Sequence, residues 1–507
     1  MFEGQPRGLW TLALANTGER FGYYTMLAVF TLFLQANFGF DEKLTSTIFS
    51  SFLMLVYFLP LFGGMAADRW GYSKMVTIGI FIMFMGYVLL SIPLGKESLA
   101  IVAMGGALLL VSFGTGLFKG NLQVMVGDLY NDPRFADKRD AGFQLFYMAI
   151  NVGALFAPTA AIKMMDWAQT SLGMSEADSY HFAFAVACAS LIVSIAIYYL
   201  GHSTFAQVAG SSKKNATGQA SEQAETLSKS ETTERIICLI LVFAVVLFFW
   251  MAFHQNGLTL TFFARDYTAT SATGITAMEF DVMNLVWCIL IVYGLFGFFQ
   301  SKGAKGKSIG VALVAIPAAF LVYNYTQQAG SVVAVNAPIF QQFNPCFVVA
   351  LTPVSIALFG WLAKKGKEPK APVKIGLGML VAALAYLMMT VASIGLPLPA
   401  YGADGANLHM ADVTPNLLVS TYLVLTFAEL LLSPIGISFV TKVAPPKYKG
   451  MMMGGWFVST ALGNFLVQIP GYLWGKELYI VWGTLMCICL VAALFIFSII
   501  KKLNKVA

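Results

Sequence analysis

Long apolar stretches separated by short polar joints run the whole length of the chain. Fourteen of them are predicted to be membrane-crossing helices, at about 9–37, 44–67, 74–95, 98–126, 141–165, 180–201, 235–263, 281–300, 307–327, 338–363, 373–395, 415–441, 449–472 and 478–502. Apolar runs of about 20 residues match a hydrocarbon core roughly 30 Å thick. An isolated segment in lipid must satisfy its own backbone, so each is read as a helix. The runs are also too long and too uniformly apolar for barrel strands. The predicted fold class is all-α and polytopic. One stretch breaks the pattern: residues 203–234 are rich in Ser, Thr, Ala, Gln, Glu and Lys. It reads as a cytoplasmic linker between an N-terminal half, 1–202, and a C-terminal half, 235–507. Within it, Asn215-Ala216-Thr217 matches a glycosylation acceptor by chance.

Composition agrees with the pattern. The 507 residues are 58% hydrophobic and 11% charged, against roughly 25% charged in an ordinary soluble domain. Lys and Arg then orient the spans. With the N-terminus inside, cytoplasmic loops and tails hold 24 of the 31 basic residues. Outside loops hold Lys43, Lys96, Lys163, Arg265 and Lys476, while Arg20 and Lys119 lie within spans. Both termini are therefore placed in the cytoplasm of a bacterial inner membrane. The net charge of +6 is a topology signal and does not point to nucleic acid. No cleavable signal peptide is expected, because the first apolar segment is interrupted by Glu19 and Arg20. The six cysteines fall in apolar runs without metal-ligand spacing and are read as small buried hydrophobes.

Charge within the spans carries the chemistry. An ionised side chain at the bilayer centre costs about 2.5–3.5 kcal/mol even on lenient insertion scales, so it must pair or line a wet cavity. Glu19, Arg20, Lys119 and Glu429 are four such groups, and His254 is a fifth titratable one. Asn16, Glu19, Arg20, Tyr23 and Tyr24 follow three- and four-residue spacing and form one polar helix face. Lys119 lies in Gly114-Thr115-Gly116-Leu117-Phe118-Lys119-Gly120-Asn121. Its glycines allow close helix approach, and Gly120 and Asn121 are expected to weaken the helix. Glu429 precedes Ser433-Pro434 by one turn, where a kink is expected. Such a set either forms buried ion pairs that hold helices together or switches partners at the midplane of a transporter. The segment Gly64-Met65-Ala66-Ala67-Asp68-Arg69-Trp70-Gly71 is expected to form a tight cytoplasmic turn. In it Asp68 faces a helix N-terminus and Arg69 reaches a carboxylate. Trp361-Leu362-Ala363-Lys364-Lys365-Gly366 is a degenerate echo.

Gly64 through Gly71 resembles the cytoplasmic loop motif of the major facilitator superfamily. Glu19-Arg20-Phe21-Gly22-Tyr23-Tyr24, Lys119 in its glycine-rich helix and Phe146-Tyr147-Met148-Ala149-Ile150-Asn151-Val152-Gly153 resemble motifs of proton-coupled oligopeptide transporters. So do Gln342-Phe343-Asn344-Pro345 and Glu429-Leu430-Leu431-Leu432-Ser433-Pro434-Ile435-Gly436. The resemblance implies two six-helix bundles plus an extra helix pair at about 281–327, packed on the outside of the C-terminal half. It implies a symporter of di- and tripeptides working by alternating access, coupled to protons, without cofactor, metal or obligate protein partner. Glu19, Arg20 and Lys119 resemble the family's proton-coupling and carboxylate-binding cluster. Tyr23, Tyr24 and Asn151 resemble its pocket-lining groups. Asn344 and Glu429, with Ser433 a turn on, resemble the site for the peptide's amino terminus. Trp250 and Trp456 resemble its aromatic walls, and Asp68 and Arg69 its gating loop. Glu19 is the first candidate for the coupled proton, whose arrival would free Lys119 for the substrate carboxylate.

Three positions depart from the family pattern. Asn16 stands where an acid is usual, Leu27 where many members have arginine, and His254 where Glu or Asp is common. His254 is a proton site, a gate partner, or a neutral histidine bonded within the bundle. The departures also leave open a modified peptide or another zwitterionic solute with altered coupling. A membrane-embedded enzyme finds no support. His181, His202, His254 and His409 form no ligand-spaced pair, and no nucleophile elbow or phosphate loop is present.

Overall fold

The protein was analysed as a computed structural model that describes residues 4–210, 228–328, 330–402, 407–445 and 448–506. Each of the fourteen predicted segments is helical. The first seven elements are α1 (Arg7–Phe38), α2 (Glu42–Phe58), α3 (Pro60–Trp70), α4 (Tyr72–Ser91), α5 (Ser98–Asp128), α6 (Arg139–Leu172) and α7 (Glu176–Leu200). Next come α8 (Lys229–Phe253), α9 (Thr259–Tyr267), α10 (Gly274–Glu279), α11 (Val282–Gln300), α12 (Ala304–Gln328), α13 (Phe343–Lys364) and α14 (Ala371–Ala392). The last are α15 (Pro415–Val443), α16 (Lys449–Leu466), α17 (Gln468–Tyr472), α18 (Leu478–Ser498) and α19 (Ile500–Val506). Among the described residues, twelve spans are long and apolar enough to cross a membrane. The predicted first and thirteenth spans are not among the twelve: α1 carries the buried polar face, and the other is broken between α16 and α17. Of the predicted linker, residues 211–227, with Asn215-Ala216-Thr217, lie outside the described residues.

Two compact units are present. The first runs to His254 and adds Val440–Tyr472; the second comprises Gln255–Phe439 and Leu473–Lys505. In the first, α4 packs along α5, α1 packs on α6 and α7, and α16 packs on α2 and α8. Glycines make the tightest of these contacts. A Cβ on Gly114 would lie 2.5 Å from the Gly79 carbonyl oxygen, and one on Gly79 would lie 2.6 Å from that of Gly114. Gly114→Val must therefore push α4 and α5 apart, a cost of about 1–3 kcal/mol. Its melting midpoint in detergent should fall, whereas that of Gly105→Ala, on an open face of α5, should not.

Three local expectations need correction. Gly120 and Asn121 do not weaken α5, which continues to Asp128. The Asn121 amide donates back to the Leu117 carbonyl (2.8 Å) and across to that of Gly63 (3.0 Å), bracing the helix against α3. The segment from Gly64 is also not a turn. It is the end of α3, and only Gly71, with φ 98°, reverses the chain. Finally, Cys288 and Cys487 are exposed, whereas Cys238, Cys346 and Cys489 are buried. A membrane helix is apolar on its outer face too, so an apolar run does not say which side is inside.

In the second unit α14 packs on α18, and α11 pairs with α12 and leans on α13. The Trp287 and Phe320 rings stack at 4.7 Å across the α11–α12 pair, and Tyr293 donates to the Val349 carbonyl of α13 (3.2 Å). Only Gly310 and Pro317 of α12 are buried, so this pair lies at the edge of the unit. The helix α15 runs through Pro434 without interruption.

Candidate functional site

The polar face of α1 is buried as predicted: Asn16, Glu19, Arg20 and Tyr23 are all inaccessible, and Tyr24 is half-buried. Glycines let α1 sit close to its neighbours, Gly22 against Ala187 and Ser190 of α7, and Gly153 of α6 against Thr17. That proximity denies water to the face, so its charges must pair with each other. The Arg20 guanidinium forks onto both oxygens of the adjacent Glu19. It also lies 4.6 Å from the Tyr23 ring centroid, and Tyr23 stacks on Phe52 of α2. Tyr24 sets its ring edge-on to Tyr23, 5.3 Å away.

Lys119 is not part of that ion pair. Among the described residues no carboxylate lies within ion-pair distance of it. Its ammonium instead sits over the Tyr57 ring of α2, 4.1 Å from the centroid, a contact worth about 0.5–2 kcal/mol. The Tyr57 ring also meets His254 edge-on, at 5.9 Å and 62°. His254 in turn stacks on Trp250 at 5.3 Å, and its Nδ1 donates to the Trp250 carbonyl (3.3 Å). Lys119 and His254 therefore share one aromatic ring, which the spacing of the sequence did not show. The seventh predicted span also breaks here: α8 ends at Phe253, and a short turn over His254–Gly257 leads to Leu258 with non-helical dihedrals. Breaks of this kind are tolerated at membrane depth only where protein or water covers the freed backbone.

The two predicted aromatic walls lie on packed helices. Trp456 of α16 is buried with its ring 6.5 Å from that of Phe243 of α8, and Ser459 donates to the Phe243 carbonyl (2.6 Å). Gly463 lets α16 press against Leu247 and Trp250. Next to Gly463 on α16, Asn464 is fully buried beside the His254 ring. Asn151, buried on α6, donates to the Tyr147 carbonyl of its own helix (3.0 Å). Asp68 is exposed and accepts from the hydroxyl of Tyr72, the first residue of α4 (3.0 Å), so it does sit at a helix N-terminus. Arg69 rests over the Trp70 ring, and among the described residues no carboxylate forms an ion pair with it. In the echo, Lys365 lies over the Trp361 ring four residues earlier.

In the second unit the Asn344 amide of α13 donates to Glu429 Oε2 (2.9 Å) and to Thr426 Oγ1 (3.1 Å), both on α15. Glu429 is buried and Ser433 half-buried one turn further on. Sequence reading paired Asn344 with Glu429 but missed Thr426, whose signal is its place three residues before the glutamate. It also missed Tyr57 and Asn464, each a single polar group in an apolar run.

The fold is shared with the solved structure of the peptide transporter POT in complex with sulfate, with TM-score 0.73, 24% identity, and coverage of 100% of this chain and 96% of that one. A POT family transporter solved with 5-aminolevulinic acid matches at TM-score 0.74 and 20% identity, covering 100% of this chain and 98% of that one. In sequence, the chain is 29% identical over 503 residues to the uncharacterized transporter YclF of Bacillus subtilis (strain 168), covering 93% of this chain and 88% of that protein. It is 27% identical over 488 residues to the di-/tripeptide transporter of Lactococcus lactis subsp. lactis (strain IL1403), covering 90% and 87%. The family model of the POT family matches residues 73–224 and 322–470, more than half of the chain. With helices on every predicted segment, buried charge within them and these matches along nearly its whole length, the chain belongs to the POT family of membrane transporters.

Proposed function

We propose that this protein is a proton-coupled symporter that imports di- and tripeptides by alternating access. The observation that carries the reading is Lys119, a cation without a carboxylate partner among the described residues, resting on the ring of Tyr57. A site of that kind suits a ligand that brings its own carboxylate. Glu429, held by the Asn344 amide that Thr426 also accepts from, is the complementary anion for an amino terminus, with Ser433 nearby. Arg20 assists Lys119. Tyr23, Tyr24 and Asn151 line the pocket, and Trp250 and Trp456 wall the side-chain spaces without choosing among side chains. Glu19, Arg20, Lys119 and His254 carry the coupling, and Asp68 and Arg69 take part in the conformational change. The chain spans the inner membrane fourteen times with both termini cytoplasmic. Its bundles are 1–202 and 235–507, the second with the extra pair, and no cofactor beyond the coupling proton is needed.

The test is dialanine-driven acidification of proteoliposomes. Influx of protons on addition of dialanine is the expected result. Silence from folded, inserted protein would overturn the peptide reading in favour of another zwitterionic solute. Glu19→Gln should lose proton-driven accumulation while retaining peptide exchange without a gradient, because it removes the exchangeable proton and leaves the cations. Full accumulation in this variant would remove Glu19 from the coupling scheme.

A further inference from the structure

One ring nitrogen of His254 has a defined backbone partner. Its Nδ1 faces the Trp250 carbonyl oxygen, which can only accept, so this nitrogen carries a proton whatever the charge of the ring. The nitrogen that gains and loses a proton is therefore Nε2. Asn464 lies beside that ring, near enough to enter its hydrogen bonding, and is fully buried on α16, where among the described residues neither its Oδ1 nor its Nδ2 makes a hydrogen bond of good geometry. A buried amide with neither polar atom in such a bond calls for a reason. The amide is an acceptor at one end and a donor at the other, so turning it over by half a rotation exchanges which of the two it offers to the ring.

We propose that Asn464 is a positioning residue that lets His254 hold or release a proton while buried. With Nε2 protonated, Asn464 accepts through Oδ1; with Nε2 bare, Asn464 donates through Nδ2. Either state of the ring is thus satisfied without water, and α16 stays joined to the broken end of α8 in both. This deepens the proposed transport function and rests on His254 serving as a proton site there. The other groups facing the ring are Tyr57 of α2 and, across it, Lys119 of α5, which in turn neighbours the Glu19–Arg20 pair of α1. The helix α16 has no ionisable residue after Lys449 at its start. A proton on His254 therefore places a second cation against the Tyr57 ring, opposed to Lys119, and links the loading of one to the position of the other.

The test is the pH profile of dialanine uptake into proteoliposomes for the wild type, Asn464→Leu, Asn464→Asp and His254→Asn. A leucine side chain at this place would offer no bond to either state, and the loss weighs more on the charged one. The midpoint for Asn464→Leu should therefore move to lower pH by about one unit, and Asn464→Asp should move it the other way. Unshifted midpoints in both Asn464 variants, with His254→Asn altering the profile, would overturn the role of Asn464 alone. An unaltered profile in His254→Asn would overturn the proton site itself. If Asn464→Leu does not fold, the alkaline shift in Asn464→Asp decides between the same outcomes.

Discussion

Glu429→Gln is expected to abolish dialanine-driven proton influx and to leave the protein folded. The substitution keeps shape and hydrogen-bonding capacity, so the Asn344 amide keeps both its acceptors on α15, residue 429 and the Thr426 hydroxyl. What disappears is the charge. A peptide ammonium that leaves water needs a carboxylate in return, and truncating one member of a buried, hydrogen-bonded charge pair costs about 2–5 kcal/mol. At about 1.4 kcal/mol per tenfold, that is a loss of roughly 30-fold or more in uptake at low substrate. Substrate exchange, which needs no proton gradient, should fall with it, because binding itself is impaired. Thr426→Val should show a milder version, since it removes one neutral partner of Asn344 and leaves the carboxylate in place. Normal dialanine uptake by folded Glu429→Gln protein would remove this residue from the amino-terminus site.

The second large effect is expected at Lys119. This lysine makes no ion pair among the described residues and rests on the face of Tyr57, so Lys119→Gln gives up little of the fold, about 0.5–2 kcal/mol of cation–aromatic attraction. Transport should suffer far more. The substrate carboxylate would lose its free cation, while Arg20 is already forked onto Glu19. A fall of about 100-fold in uptake, or about 2.7 kcal/mol, lies inside the range for removing one partner of a desolvated charge pair. Lys119→Arg should recover part of this, because a guanidinium also stacks on Tyr57 and carries the same charge. Thermal unfolding in detergent gives the control: a melting midpoint close to that of the wild type with lost uptake places the effect in the site. An equal loss of stability would make Lys119 a packing residue.

Membrane class, helical segments and the positions of the intramembrane charges were all readable along the chain. They depend on local quantities: the length of an apolar run, the cost of a charge inside it, and the spacing that gathers Asn16, Glu19, Arg20 and Tyr23 on one face. The Asn344–Glu429 contact was readable only through the family resemblance, because 85 residues separate the pair. Where reading by residue type failed, a neighbouring helix supplied the reason. Asn121 braces α5 because Gly63 of α3 passes within hydrogen-bond reach. Cys288 and Cys487 lie outside because an apolar run faces lipid as well as protein.

By itself, then, the sequence determined that this chain is a helical membrane protein with ionisable groups buried at particular depths, since hydropathy and period act residue by residue. Tertiary structure alone decided the partners of those groups: Glu19 with Arg20, Lys119 with Tyr57, and His254 between Trp250, Tyr57 and Asn464. A polar residue in an apolar run is obliged to find a partner. Which partner it finds depends on the helix that packs across from it, through contacts such as Gly463 against Leu247, and spacing along one chain segment carries no record of that.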